Sequence, residues 1–175
     1  MRIIPKPEKS EYPDYAEMYV KLLPDDGLIL KHLADNFRRA KDFIYGLPTE
    51  KLLYKPAPDK WTIKEILVHI VDDERIYAYR ALCFARGEKQ SLPGFEQDDY
   101  ALASKANGRD LDNIFEEYEA VRKATIALFN GLPEDSLMRK GTGSTSYHAA
   151  TVRALAYHIA GHEMRHINII KERYL

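Results

Sequence analysis

The chain has 175 residues, with 26 Lys plus Arg against 27 Asp plus Glu, a formal net charge of −1 and one Cys. That length points to a single domain, and 45% hydrophobic with 30% charged residues excludes wholesale disorder. The near-neutral charge argues against nucleic acid or an anionic membrane as the main partner, one Cys excludes an internal disulfide or a Cys-rich zinc module, and with no signal-like start and no run of about 18 apolar residues the expectation is a soluble cytoplasmic protein.

Residues 1–24 carry Pro5, Pro7, Pro13 and Pro24, with Tyr12, Tyr15 and Tyr19 between them. Each Pro removes a backbone donor and biases its predecessor away from the helix, so an extended arm is predicted, followed by a bundle over 25–175. Asp25 or Asp26 is a candidate cap for a helix over roughly 27–46, where Leu30, Leu33, Phe37 and Ile44 recur at helical spacing before Gly46-Leu47-Pro48. Thr62 and Glu65 form an S/T-x-x-E capping box opening a second long helix, which runs to about Arg86 and ends at Gly87. A loop at 88–97 and a short helix at about 98–106 follow. Asp110 or Asp112 opens a third long helix that stops before Gly131-Leu132-Pro133. Residues 133–149 read as a polar loop, and Thr151 caps a last helix running to the C-terminus. No repeat and no strand alternation is visible, so the predicted class is all-α: a four-helix bundle with an irregular N-terminal arm.

The chemistry concentrates on the second and fourth long helices. At about 100° per residue, His162 and His166 fall within about 20° of Leu155, in the middle of the stripe that also holds Ile159, Ile169 and Ile170, whereas His158 lies at its edge. One buried imidazole is readily explained as a hydrogen-bonded core group; two at i and i+4 on one apolar face both need partners and, with Cβ atoms roughly 6 Å apart, can share a metal ion. His69 supplies a third candidate on the second helix, between Ile66 and Ile76, flanked by Asp72 and Asp73. Three neutral imidazoles from facing helices would bind Zn²⁺, Ni²⁺ or Fe²⁺ and leave positions open, as catalytic centres do. Asp72 or Asp73 would then accept a proton or orient His69.

Other readings of these residues are weaker. His162-Glu163-Met164-Arg165-His166 matches H-E-x-x-H, but a protease of that type needs an edge strand for its peptide, and Glu163 is turned about 80° from the two histidines. Glu163-x-x-His166 matches half of a di-iron bundle motif, whose second E-x-x-H is missing because Glu65 is wrongly spaced from His69. His158 reads as an ordinary edge histidine, and Ser146, Tyr147 and His148 as loop polarity or the mouth of a site. Arg80 would attract an anionic substrate or pair with a carboxylate. Cys83 lies roughly 21 Å along the helix from His69, too far to share an ion. Trp61 and most tyrosines read as packing groups.

Trp61 through Glu74, including Thr62, Glu65, His69, Asp72 and Asp73, resembles the second-helix signature of the DinB/YfiT-like family. Thr151-Val152-Arg153 through His158, His162, Glu163 and His166 resembles its last helix, and the loop Leu92-Pro93-Gly94-Phe95 has the matching place and character. The resemblance spans roughly 25–171. It implies a four-helix bundle, usually a homodimer, with a divalent metal held by His69, His162 and His166, the same three that the helical wheels select. It implies no single reaction, since such proteins include metal-dependent hydrolases and transferases using low-molecular-weight thiols. The expectation is therefore a metal-dependent hydrolase or thiol-dependent S-transferase acting on a small molecule. The competing class is a non-catalytic helical bundle that binds a metal or a protein partner.

Overall fold

The computed structural model describes residues 1–141 and 149–175, so Ser146, Tyr147, His148 and the rest of 142–148 within the predicted polar loop lie outside the described residues. The N-terminal arm is not extended throughout. It forms 3-10 turns at Lys9–Glu11 and Asp14–Ala16 and a one-turn helix, α1 (Glu17–Val20). Pro13 sits just before a turn, where a backbone N–H would have no partner within the helix, so it starts helical structure rather than preventing it. The arm belongs to the core: Ile4, Val20 and Leu23 are buried in one cluster with Leu30, Leu33, Leu155 and Ile159. Tyr157 donates its hydroxyl to the Ile4 carbonyl at 2.9 Å.

The long helices follow the apolar periodicity. α2 (Ile29–Tyr45) buries Leu30, Leu33, Phe37 and Ile44. Its N-cap is Leu28, without a side-chain bond; Asp26 instead accepts from the Leu28 N–H at 2.9 Å and holds the His32 ring. α3 (Ile63–Ala85) begins at the predicted capping box, with Glu65 N–H donating to Thr62 Oγ1 at 3.1 Å and Thr62 N–H donating to Glu65 Oε2 at 2.8 Å. After α4 (Gln97–Ala103) comes α5 (Leu111–Gly131), whose N-cap Asp110 makes no side-chain bond. A two-residue antiparallel pair, β1 (Lys140–Gly141) with β2 (Ala150–Thr151), leads into α6 (Val152–Arg173). Strands this short carry no alternation for a sequence pattern to show. A side chain at Gly141 would overlap the Phe84 ring, so a glycine is required there.

α3 packs on α5 and α6, and α2 packs on the same two helices. The chain thus places α2 diagonally from α3, and α5 diagonally from α6. No helix among the described residues is long and apolar enough to cross a membrane.

Glu11 fastens the arm to the start of α6. It accepts from Thr151 Oγ1 at 2.8 Å, from Arg153 Nε at 2.7 Å and from the Glu8 N–H at 2.9 Å, and a second Arg153 N–H completes a two-pronged pair. Burial alone would raise its carboxyl pKa; the hydrogen bonds from Arg153, Glu8 and Thr151 outweigh it and hold the group below its ordinary value of 4.5. A depressed carboxyl stabilises the fold above its unfolded pKa, and that contribution is lost as pH falls through the folded one. Glu11→Gln is expected to cost about 2 kcal/mol at pH 7, lowering Tm by roughly 4–8 °C. Thermal melts should show the gap between wild type and variant closing below about pH 4.

Candidate metal centre

His69 lies two turns into α3 from the Thr62 cap, and His162 and His166 lie one turn apart on the facing side of α6. The three imidazoles meet at the α3–α6 contact, with one nitrogen from each within 4.8 Å of the others. His69 Nε2 and His162 Nε2 are 3.1 Å apart, and the rings stand edge to face at 4.4–4.9 Å between centroids. Burial opposes the imidazolium form at all three. It holds His69 below its ordinary 6.5, His162 well below it despite the pull of Asp73, and His166 down to about 3. At neutral pH these are three uncharged imidazoles with one nitrogen of each converging, the charge state in which imidazole binds a divalent ion. Nitrogens sharing one ion at about 2.0–2.1 Å lie roughly 3.5 Å apart, so only small side-chain rotations separate this cluster from a ligand set. The donor set therefore fits a divalent metal.

The two candidate carboxylates part company. Asp73 is buried, with Oδ2 3.3 Å from His162 Nδ1 and 3.5 Å from His158 Nε2. Burial opposes its charge, but the imidazoles of His162 and His158 hold its carboxyl below the usual range. The Nδ1 edge of His162 faces Asp73 and its Nε2 edge faces the cluster, so the carboxylate lies beside His162 and not beside the His69 expected from spacing along one helix. Asp72 is turned away, 3.9 Å from Arg75 and outside the cavity wall, with its carboxyl raised by burial and lowered in part by Arg75.

His158, read from the sequence as an ordinary edge residue, is buried in this same group and stacks on Tyr77 at 3.7 Å. Trp61, read as a packing group, lies 4.7 Å from the His69 ring. Tyr19 sets its ring edge on His158 at 4.8 Å and on His162 at 5.4 Å. It reaches them because Gly161 has no side chain: a Cβ there would come within 2.4 Å of the Tyr19 carbonyl oxygen. A glycine inside a helix costs about 1 kcal/mol relative to alanine, and here the close approach of the arm explains it. Tyr15 and Tyr19, spaced i to i+4 in a Pro-rich segment, were the sequence signal for these arm contributions.

A cavity of about 350 Å³ opens beside the cluster, with Tyr15, Tyr19, Asp73, Tyr77, His158 and His162 in its wall and Arg80 and Phe95 further along. Glu163 has no place in it. Glu163 accepts from the Tyr118 hydroxyl at 2.5 Å and lies 3.0 Å from Arg122, on the interior side of α6. Burial pushes its carboxyl up, against the opposing pull of Arg122 and Tyr118. Arg122 donates to Glu74 from Nε at 3.0 Å and from Nη2 at 2.8 Å, and also to the Leu33 carbonyl. This arrangement disfavours the H-E-x-x-H protease reading, in which that glutamate must face the metal.

The fold and site together define a four-helix bundle with three converging histidines beside an open cavity. The chain belongs to the DinB superfamily, whose sequence profile matches residues 32–170. In structure it is similar to YfiT from Bacillus subtilis, described as a probable metal-dependent hydrolase with an unusual four-helix bundle topology. The TM-score is 0.73 at 14% sequence identity, over 95% of this chain and 90% of that one. No curated protein matches the sequence at a significant level.

Arg122→Ala would leave Glu74 and Glu163 buried without their cation, and urea unfolding should show a loss of about 3–5 kcal/mol. Glu163→Gln should cost far less, because it removes a charge that burial already opposes and keeps an acceptor for Tyr118.

Proposed function

We propose that this chain is a metal-dependent enzyme of the hydrolase type, with one divalent ion held by His69, His162 and His166. The observation that carries the reading is the convergence of three neutral imidazoles, His69 and His162 buried and His166 half-buried, with His162 reaching the wall of a cavity large enough for a small molecule. Three protein ligands without a carboxylate leave such an ion its full charge and open positions, with which it lowers the pKa of a water or a low-molecular-weight thiol. Water as the nucleophile makes the protein a hydrolase. A thiol makes it an S-transferase, and the same cavity accommodates either.

The chain's own residues have separable tasks. Asp73 keeps the His162 proton on Nδ1 and the ring in its orientation. His158 bridges Asp73 to the cavity wall, where its ring stacks on Tyr77. Tyr15 and Tyr19 cover the cluster from the arm and exclude bulk water; burial raises both phenols, Tyr19 to about 12, so they stay protonated. The homodimer that the sequence resemblance implies is part of this proposal.

Elemental mass spectrometry on untagged protein tests the reading. About one metal per chain is expected in wild type, with His69→Ala and His162→Ala both empty. Saturation at about 100 times Kd should add roughly 2.7 kcal/mol of stability, read as a rise in Tm absent from both variants. A wild type that stays metal-free after incubation with Zn²⁺, Ni²⁺ and Fe²⁺ would overturn the proposal and favour an interaction protein with core histidines. Asp73→Asn should keep the stoichiometry but weaken affinity about 10–100-fold in a competitive chelator titration. Ester hydrolysis and thiol transfer by the loaded protein then separate the two nucleophiles.

A further inference from the structure

We infer that Trp61 is a positioning residue for the metal centre: its indole fixes the rings of His69 and His166 and shuts water out on their side, so that the open positions of a bound ion face the cavity at His162. The inference rests on the metal reading above and adds the residue that sets which side of the ion a substrate or nucleophile meets.

Trp61 reaches the cluster because of how α3 starts. Thr62, the N-cap, is extended (φ −77°, ψ 167°), so the chain before it does not continue the helix. The indole lies back along the first turns, its centroid 4.7 Å from that of the His69 ring at an interplanar angle of 53°. It is also within 20° of parallel to the His166 ring, at 6.5 Å between centroids. One side chain thus borders an imidazole from each of the two facing helices. The placement is tethered as well as packed. Buried Tyr174, just past the end of α6, donates its hydroxyl to the Trp61 carbonyl at 2.7 Å, and its own carbonyl accepts from Lys51 Nζ at 2.9 Å. Tyr174 follows His166 by about two turns, so this bond ties the start of the helix carrying His69 to the end of the helix carrying His166.

Packing at the helix start explains only part of this. An apolar residue just before an N-cap staples onto the fourth helical residue, here Ile66, and that role needs no contact with the histidines. A ligand imidazole, by contrast, has to be held near one orientation for its nitrogen to meet the others. Among the described residues only His162 of the three has a carboxylate beside it, Asp73 at 3.3 Å. His69 and His166 have the indole in that place. Trp61 is half-buried and stands outside the described cavity wall, in which His162 represents the cluster. Indole and cavity therefore border different members of the cluster, so that an ion there meets an apolar plane beside His69 and His166 and open space beside His162. An apolar shell of this kind governs solvent access to a metal and the pKa of its bound water.

Cobalt-substituted protein tests this without an activity assay, because the visible spectrum of cobalt reports its coordination number. Wild type should give the intense absorption of a four- or five-coordinate ion. Trp61→Ala should admit water and give the weak absorption of a six-coordinate ion, with cobalt affinity in a chelator competition lower by about 10–100-fold. Trp61→Phe, which keeps an aromatic plane, should retain the wild-type spectrum and most of the affinity. Ile44 lies in the apolar cluster against which Trp61 packs, and Ile44→Ala is the control, expected to lower Tm and leave the spectrum unchanged. A six-coordinate spectrum in wild type, a wild-type spectrum and affinity in Trp61→Ala, equal losses in Trp61→Phe and Trp61→Ala, or the same spectral change in Ile44→Ala would each overturn the inference while leaving the metal site standing. One measurement needs no variant: Trp61 is the single tryptophan of the chain, so cobalt at the histidines should quench most of its emission, with an end point at the cobalt stoichiometry. Emission that survives cobalt saturation would overturn the inference as well. Failure of the wild type to bind cobalt would overturn the metal reading and this inference with it.

Discussion

Arg122 is the point at which all four long helices meet. From α5 it holds Glu74 of α3, Glu163 of α6 and a backbone carbonyl of α2. A guanidinium and two carboxylates in a dry interior are tolerable only when their donors and acceptors are nearly all matched, and that demand admits few arrangements of the helices. Its consequence for the site is rotational. Glu163 and His162 are consecutive, so their side chains leave α6 about 100° apart. Fixing Glu163 on Arg122 turns His162, and with it His166 one turn later, toward α3 and His69. A buried charge cluster on one side of α6 thereby aims the imidazoles on the other.

The site is completed from outside the bundle. The N-terminal arm is anchored at Glu11 and Ile4, and between those anchors and α2 it lays Tyr15 and Tyr19 over His158 and His162. Without the arm, His158 and Asp73 would face water, and the electrostatic contrast between neutral imidazoles and an ionised Asp73 would be weakened by solvent. The arm is thus a wall of the cavity rather than an appendage. Gly161 and the Pro-rich stretch follow from that role: one removes a side chain where the backbones touch, and the other directs the chain across the end of the bundle.

Much of this was legible in the residues. Apolar periodicity located the long helices, the Thr62–Glu65 box located the start of α3, the i, i+4 spacing on an apolar stripe selected His162 and His166, and the apolar seam of the second helix added His69 to them. The failures share a cause. Asp72 and Asp73 both flank the seam on a helical wheel, and only the position of α6 decides which one touches an imidazole. His158 lies at the edge of the same wheel, and it is buried because the arm covers that edge. Asp26 was legible as a capping residue but not as one that bonds the Leu28 amide ahead of the helix, because the turn at Gly27 (φ +70°) intervenes.

The residues by themselves determined the class of fold, the helical stripes and the inventory of donors, because these depend on periodicity and on side-chain chemistry close along the chain. The tertiary structure decided the partners: α2 diagonal to α3, Asp73 on His162, Glu163 withdrawn to Arg122, and two arm tyrosines against the histidines. Each of these pairs is separated by many residues in sequence. Its formation depends on the relative rotation and stagger of packed elements, which core shape and the matching of buried charge select together and which no local pattern encodes.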